Sequence, residues 1–92
     1  MAEQMIEVEV EVLNQLGLHA RPATILARKA MEYSCSLEAE KDGEPVNLRS
    51  LMSILMLAAG KGSRLTLRAS GTDAEQAISE LTSLFNNKFG ED

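Results

Sequence analysis

The only histidine of the chain, His19, sits in the stretch LGLHARPA, Leu16 to Ala23, with Arg21 two places after it and Pro22 three places after it. The stretch lies where a strand-like alternation gives way to a helical period. A helix beginning near His19 has backbone N–H groups without internal acceptors, and the positive end of its dipole falls at the same place. Both favour an anion such as phosphate. Pro22 fits within that first turn because its missing N–H costs no hydrogen bond there. Arg21 adds a fixed cation and a planar fork of donors within reach of the same anion. A neutral imidazole nitrogen can act as a nucleophile toward phosphorus, the phosphoryl oxygens then being held by the helix N–H groups and Arg21. These residues read as a phosphoryl-carrying site. The alternative is a surface residue at a helix start, with Gly17 marking the turn before it.

Other chemistries lack their residues. With no second histidine, no Cys/His cluster and no carboxylate set at ligand spacing, neither a metal nor a cofactor is expected. Cys35, between Ser34 and Ser36, belongs to no CxxC pair and reads as a small half-buried strand residue. A GxSxG elbow is missing, and Gly60-Lys61-Gly62-Ser63 lacks the full phosphate-loop spacing and precedes a strand, so it reads as a turn.

The elements that must position His19 follow from the hydrophobic periods. Ile6, Val8, Val10 and Val12 alternate with Glu7, Glu9 and Glu11, as in a strand with one face buried. From Pro22 the period changes: Ala23, Leu26, Ala27 and Ala30 share one helix face and Arg28, Lys29 and Glu32 the other. Cys35, Leu37 and Ala39 alternate with Ser36, Glu38 and Glu40 in a second strand. Asp42-Gly43 is a tight-turn pair leading into Pro45-Val46-Asn47-Leu48, and Pro45 assigns that third strand to an edge. Ser50 is placed to cap a short helix with Leu51, Ile54, Leu55 and Ala58 on its core face, ended by Gly60 and Gly62. Leu65, Leu67 and Ala69 alternate with Arg64, Thr66 and Arg68 in a fourth strand. Thr72 to Glu75 reads as a capping box opening a last helix, with Ala77, Ile78, Leu81, Leu84 and Phe85 inside.

The order is β-α-β-β-α-β-α. Opposite charges attract across neighbouring strands, which places the arginine-bearing fourth strand between the glutamate-bearing first and second. The expectation is an α+β fold: a four-stranded antiparallel sheet of order 1-4-2-3 with three helices on one face. A chain of 92 residues closes one core, so a single domain over 1–92 is expected, and 45% hydrophobic residues fill it without disulfides. The 3% aromatic content and the formal charge of −5 argue against a base-stacking, phosphate-binding nucleic-acid module. The first residues lack the basic start and apolar run of a signal peptide, and no run approaches the ~18 apolar residues of a membrane span. A cytoplasmic protein with no membrane partner is expected.

GLHARPA at 17–23, VNLRSLMSILML at 46–57, AAGKGS at 58–63 and ASGTDAEQA at 69–77 together resemble the HPr family of the bacterial phosphoenolpyruvate-dependent phosphotransferase system. The likeness spans nearly the whole chain and implies the open-faced β-sandwich of that family. It also implies that His19 carries the phosphoryl group on Nδ1, taking it from enzyme I and passing it to enzyme IIA domains for sugar uptake, with Arg21 assisting. Such a carrier needs no turnover of its own, only an accessible histidine and a docking surface. Met52 and Met56, off the core face, with Leu51 and Leu55 beside them, are the candidates, since flexible methionines tolerate several partners.

The family likeness gives Ser50 a second role, as the serine that a dedicated kinase phosphorylates and a phosphorylase restores in some branches. Ser53 stands where those branches commonly have glycine. Asn14-Gln15-Leu16-Gly17 and the ending LFNNKFGED are similar to the nitrogen-related branch of the same system. A third reading is a regulatory domain that binds a transcriptional regulator or an enzyme through the same surface. The carrier is expected to act as a monomer.

Overall fold

The computed structural model describes residues 5–91. Its element order is β1 (Met5–Glu11), α1 (Ala20–Ala30), β2 (Ser36–Lys41), β3 (Glu44–Asn47), α2 (Leu51–Met56), β4 (Arg64–Ser70) and α3 (Ala74–Asn86), followed by a short 3-10 turn at Lys88–Gly90. The strands form one antiparallel sheet in the order β1-β4-β2-β3. β4 thus lies between β1 and β2, where opposite charges on the outer faces attract. Arg68 lies opposite Glu7 on one neighbour and Glu38 on the other, and its guanidinium also reaches Glu40 at 2.7 Å.

The alternating apolar residues of the strands, including Val10, Leu37, Ala39, Leu65, Leu67 and Ala69, are buried on the side that α1 and α3 cover with Leu26, Leu81 and Phe85. Burial of a large aliphatic side chain contributes about 1.5–3 kcal/mol, so this face holds the sheet and helices together. Pro45 lies in β3 at the sheet edge, where its lack of an N–H costs no ladder bond. Asp42 and Gly43 have φ of 54° and 83°, the two positive values that a two-residue hairpin turn requires.

Several local expectations are corrected. In α2 only Ile54 of the expected core face is fully buried. Leu51 is 37% exposed, Leu55 is half-buried and Ala58 is exposed, while Leu57 supplies the second buried side chain. A helix this short packs through one ridge, Ile54 and Leu57 three apart, so residues to either side of the ridge stay near solvent. The helix also ends earlier than Gly60: Ala58 takes φ 50°, which turns the chain out of the helix and lets the Ala59 carbonyl accept from Leu18 N–H at 2.9 Å. Thr72 does not cap α3. The N-cap is Asp73, which makes no side-chain cap bond because its carboxylate accepts from Ser34 N–H at 2.8 Å and Cys35 N–H at 2.9 Å. Those N–H groups hold the Asp73 carboxyl below its ordinary range.

Cys35 is more buried than expected and stands just before β2, and burial pushes its thiol up to about 11. Gly60 to Ser63 is a turn, closed by Ser63 N–H to Gly60 carbonyl at 3.0 Å and tied to β1's end by Gly62 N–H to Val12 carbonyl at 2.7 Å.

Candidate functional site

Between β1 and α1 the chain makes a tight turn. Gly17 N–H donates to the Asn14 carbonyl at 3.2 Å, and the Asn14 side-chain amide returns a bond to the Gly17 carbonyl at 2.7 Å. Gly17 has φ 68°, and a Cβ there would lie 2.6 Å from the Ala59 carbonyl oxygen, so glycine is required on both counts. Leu18 follows as a buried plug. The next residue, His19, is thus placed at the N-cap of α1 in extended backbone, with its carbonyl accepting from Ala23 N–H at 3.0 Å. Its side chain makes no cap bond, and the N–H groups of the first turn have no acceptor inside the helix. The histidine side chain is 35% exposed and Arg21 53%.

The other half of the site comes from the far end of the chain. Phe85 in α3 and Phe89 beyond it pack edge to face at 5.0 Å, both buried. Seating Phe89 requires positive φ at Lys88 and at Phe89, 56° and 53°, a strain that the burial of the second ring offsets. The tail is thereby turned back across the start of α1. Arg21 Nη1 donates to the Phe89 carbonyl at 2.9 Å and to Glu91 Oε2 at 3.0 Å. Nε2 of His19 lies 2.8 Å from the same oxygen, and the amide of Asn14 donates to Oε1 at 2.9 Å. Burial works to raise the Glu91 carboxyl, but the bonds from Asn14, His19 and Arg21 outweigh it and hold it below its ordinary range.

His19 and Arg21 are therefore brought together as expected. The carboxylate that joins them was not foreseen, nor was the fully buried Asn14. The Phe85/Phe89 spacing signals that the tail is anchored, but nothing local says that Glu91 meets His19. Ser50 stands apart from this cluster. It caps α2, its hydroxyl accepting from Ser53 N–H at 3.2 Å. Met52 and Met56 are 66% and 79% exposed, with Leu51 and Leu55 on the less buried flanks of the same helix. The chain that leaves α2 is the one bonded to Leu18, so this apolar helix adjoins the His19 turn, where Leu16 adds a further side chain at 73% exposure.

An open groove of about 360 Å³ lies between the β2–β3 hairpin and α2, lined by Lys41, Val46, Met56 and Leu57 among others, and does not include His19. Among the described residues no group of three His, Cys, Asp or Glu side chains is placed to hold a metal. The site gathers an imidazole, a guanidinium and a carboxylate at the N-terminus of α1. These define a small α+β protein that presents a partly exposed imidazole at a helix N-terminus.

Comparison with known proteins agrees with that class. Residues 6–87 match the family model described as the HPr component phosphorylation site of the phosphotransferase system. The phosphocarrier protein HPr of Cupriavidus necator is 37% identical over 87 residues, covering 95% of this chain and 98% of that protein. The solved structure of HPr from Thermoanaerobacter tengcongensis superposes with a TM-score of 0.91 at 41% identity, covering 95% and 98% of the two chains. A second structure from that organism, described as an HPr dimer, gives 0.76 at 42% identity over 91% and 97%. The chain belongs to the HPr family of phosphocarrier proteins, which are group carriers and not enzymes.

Proposed function

We propose that this chain, as one domain spanning residues 1–92, takes a phosphoryl group from phospho-enzyme I onto His19. It then passes the group to a histidine of an enzyme IIA domain, in the cytoplasm, as a monomer serving sugar uptake. The observation that carries the reading is His19 at the N-cap of α1 with Arg21 beside it, both partly exposed. In the transfer, an imidazole lone pair forms the new P–N bond while the bond to the donor's nitrogen breaks, its electron pair returning to that ring. The two nitrogens and the phosphorus must stand in line, so positioning governs the step and either direction is open. The phosphoryl oxygens then take the N–H groups of α1's first turn. Arg21 turns its fork from the Phe89 carbonyl and Glu91 toward them, a charge-assisted exchange of acceptors.

Any partner that brings its own histidine in line with His19 must also cover the residues around it. Met52, Met56, Leu51, Leu55 and Leu16 form an apolar surface suited to that contact, and flexible methionines let two different partners share it. A phosphate placed on Ser50 by a serine kinase would favour the start of α2 while adding charge beside the docking surface, so it would slow transfer without unfolding the protein. Among the described residues no helix is long and apolar enough to cross a membrane.

The nitrogen-related branch is the second reading, and one observation favours it. The two stretches similar to that branch, Asn14 to Gly17 and the tail, are the two that meet at His19 through Asn14, Phe89 and Glu91. The test incubates the protein with labelled phosphoenolpyruvate and either the sugar-branch or the nitrogen-branch enzyme I, with His19→Ala as control. Acid-labile, base-stable label on the native chain with the sugar-branch enzyme supports the proposal. Uptake from the nitrogen-branch enzyme alone assigns the second reading, and label on His19→Ala refutes both.

A further inference from the structure

A neutral imidazole has one N–H and one lone pair, and the hydrogen bond made by one nitrogen decides what the other can do. Nε2 of His19 faces Glu91 Oε2 at 2.8 Å. An ionised carboxylate only accepts, so Nε2 must carry the proton. We propose that Glu91 is a positioning residue for His19, holding the ring in the tautomer that leaves the Nδ1 lone pair free for phosphorus. The role of Nδ1 as attacking atom rests on the phosphocarrier reading above; the tautomer does not.

The surroundings of Glu91 support the assignment. Its carboxylate is clamped from two segments: Asn14 holds Oε1 at 2.9 Å, and Arg21 shares Oε2 with His19 at 3.0 Å. Asn14 is fully buried, and its amide nitrogen serves two acceptors, Glu91 and the Gly17 carbonyl, while its oxygen has no partner. Turning the amide over would set that oxygen against two acceptor oxygens. The orphaned oxygen is thus the consequence of a site arranged to present a donor to Glu91. Phe89, seated against Phe85, fixes the backbone two residues before the carboxylate.

When the Nδ1 lone pair forms the P–N bond, Nε2 keeps its proton and the ring becomes an imidazolium. The donor ring takes back the electron pair of its broken P–N bond. The new positive charge arises next to the Glu91 carboxylate, which faces it without rearranging. In onward transfer the pair returns to Nδ1 and the charge disappears. Nε2, covered by Glu91, offers no lone pair at any stage, so the phosphoryl group is confined to one nitrogen.

The test needs neither enzyme I nor an acceptor. Nitrogen-15 spectra of the unphosphorylated native protein with a neutral ring should show Nε2 protonated and Nδ1 bare, with the Nε2–H protected from exchange. Phosphorylation by phosphoramidate should give Nδ1-phosphohistidine alone. In Glu91→Ala, the Nε2–H should lose its protection and the product should move to the isomer mixture that phosphoramidate gives with a histidine-containing peptide. A native protein with Nδ1 protonated would overturn the proposal without reference to any variant. So would a folded Glu91→Ala protein that keeps the native exchange rate and single product while the peptide gives both isomers.

Discussion

Replacing Gly17 by alanine tests how firmly the turn before His19 is determined. The residue has φ 68°, and alanine in the left-handed region costs roughly 1–2 kcal/mol. The new methyl would stand 2.6 Å from the Ala59 carbonyl oxygen and 2.8 Å from Gly60 Cα, both backbone atoms with no rotamer to escape by. Shifting packed backbone adds roughly 1–3 kcal/mol. The sum, about 2–5 kcal/mol, is a large part of the total for a domain of this size. At about 4–8 °C per kcal/mol the melting midpoint should fall by at least about 8 °C. Gly43→Ala is the control, since it has φ 83° with nothing within 4 Å and so bears the backbone cost without the collision. Thermal unfolding of the three proteins by circular dichroism at neutral pH compares them. A Gly17→Ala midpoint equal to that of Gly43→Ala would refute the collision argument, and with it the claim that the Ala59 carbonyl fixes the approach to His19.

Arg21→Ala should change stability by less than about 1 kcal/mol, because the side chain is half exposed, yet slow transfer from enzyme I about 10- to 100-fold through loss of a charge-assisted contact. Equal losses in melting midpoint and rate would argue against a role in transfer. Met52→Asp with Met56→Asp should weaken binding to both enzyme I and the enzyme IIA domain in titrations while the protein stays folded; unchanged affinity for both removes α2 from the docking surface. Acid should destabilise the protein in a defined window. Hydrogen bonds from Tyr33, Lys29 and Gln76 hold Glu80 at about 2 against an ordinary 4.5, and Asp73 and Glu91 are lowered as well. A carboxyl whose folded value is depressed contributes stability above its unfolded value and loses it as pH falls through the folded one. The midpoint should therefore drop between about pH 4.5 and pH 2, with a smaller drop for Glu80→Gln, and parallel curves would contradict the assignment.

What could be read from the sequence was what depends on period and on charge of single elements. Val10, Leu37 and Leu67 declare their strands by alternation, and Arg68 opposite Glu7 and Glu38 declares its neighbours by sign. Pro22 declares a helix start because its missing N–H costs no hydrogen bond in a first turn. The misreadings have the opposite character. Thr72 satisfies a local capping pattern, but Asp73, whose carboxylate binds Ser34 and Cys35 N–H in a distant segment, becomes the N-cap. Leu51 and Leu55 fit a helical stripe, but the stripe that packs is decided by what α2 rests on. Glu91 is silent in sequence because its contact with His19 spans almost the whole chain, and only the seating of Phe89 brings it there.

The central claim is that His19 carries a phosphoryl group that arrives from one protein and leaves to another. The most direct measurement isolates the chain after labelling by enzyme I and phosphoenolpyruvate, removes both, and adds an unlabelled enzyme IIA domain. The label should pass to the IIA domain and leave a protein able to be charged again, with none acquired or passed on by His19→Ala. Label that stays on the chain when the IIA domain is added, or that is found on any residue other than His19, would contradict the account.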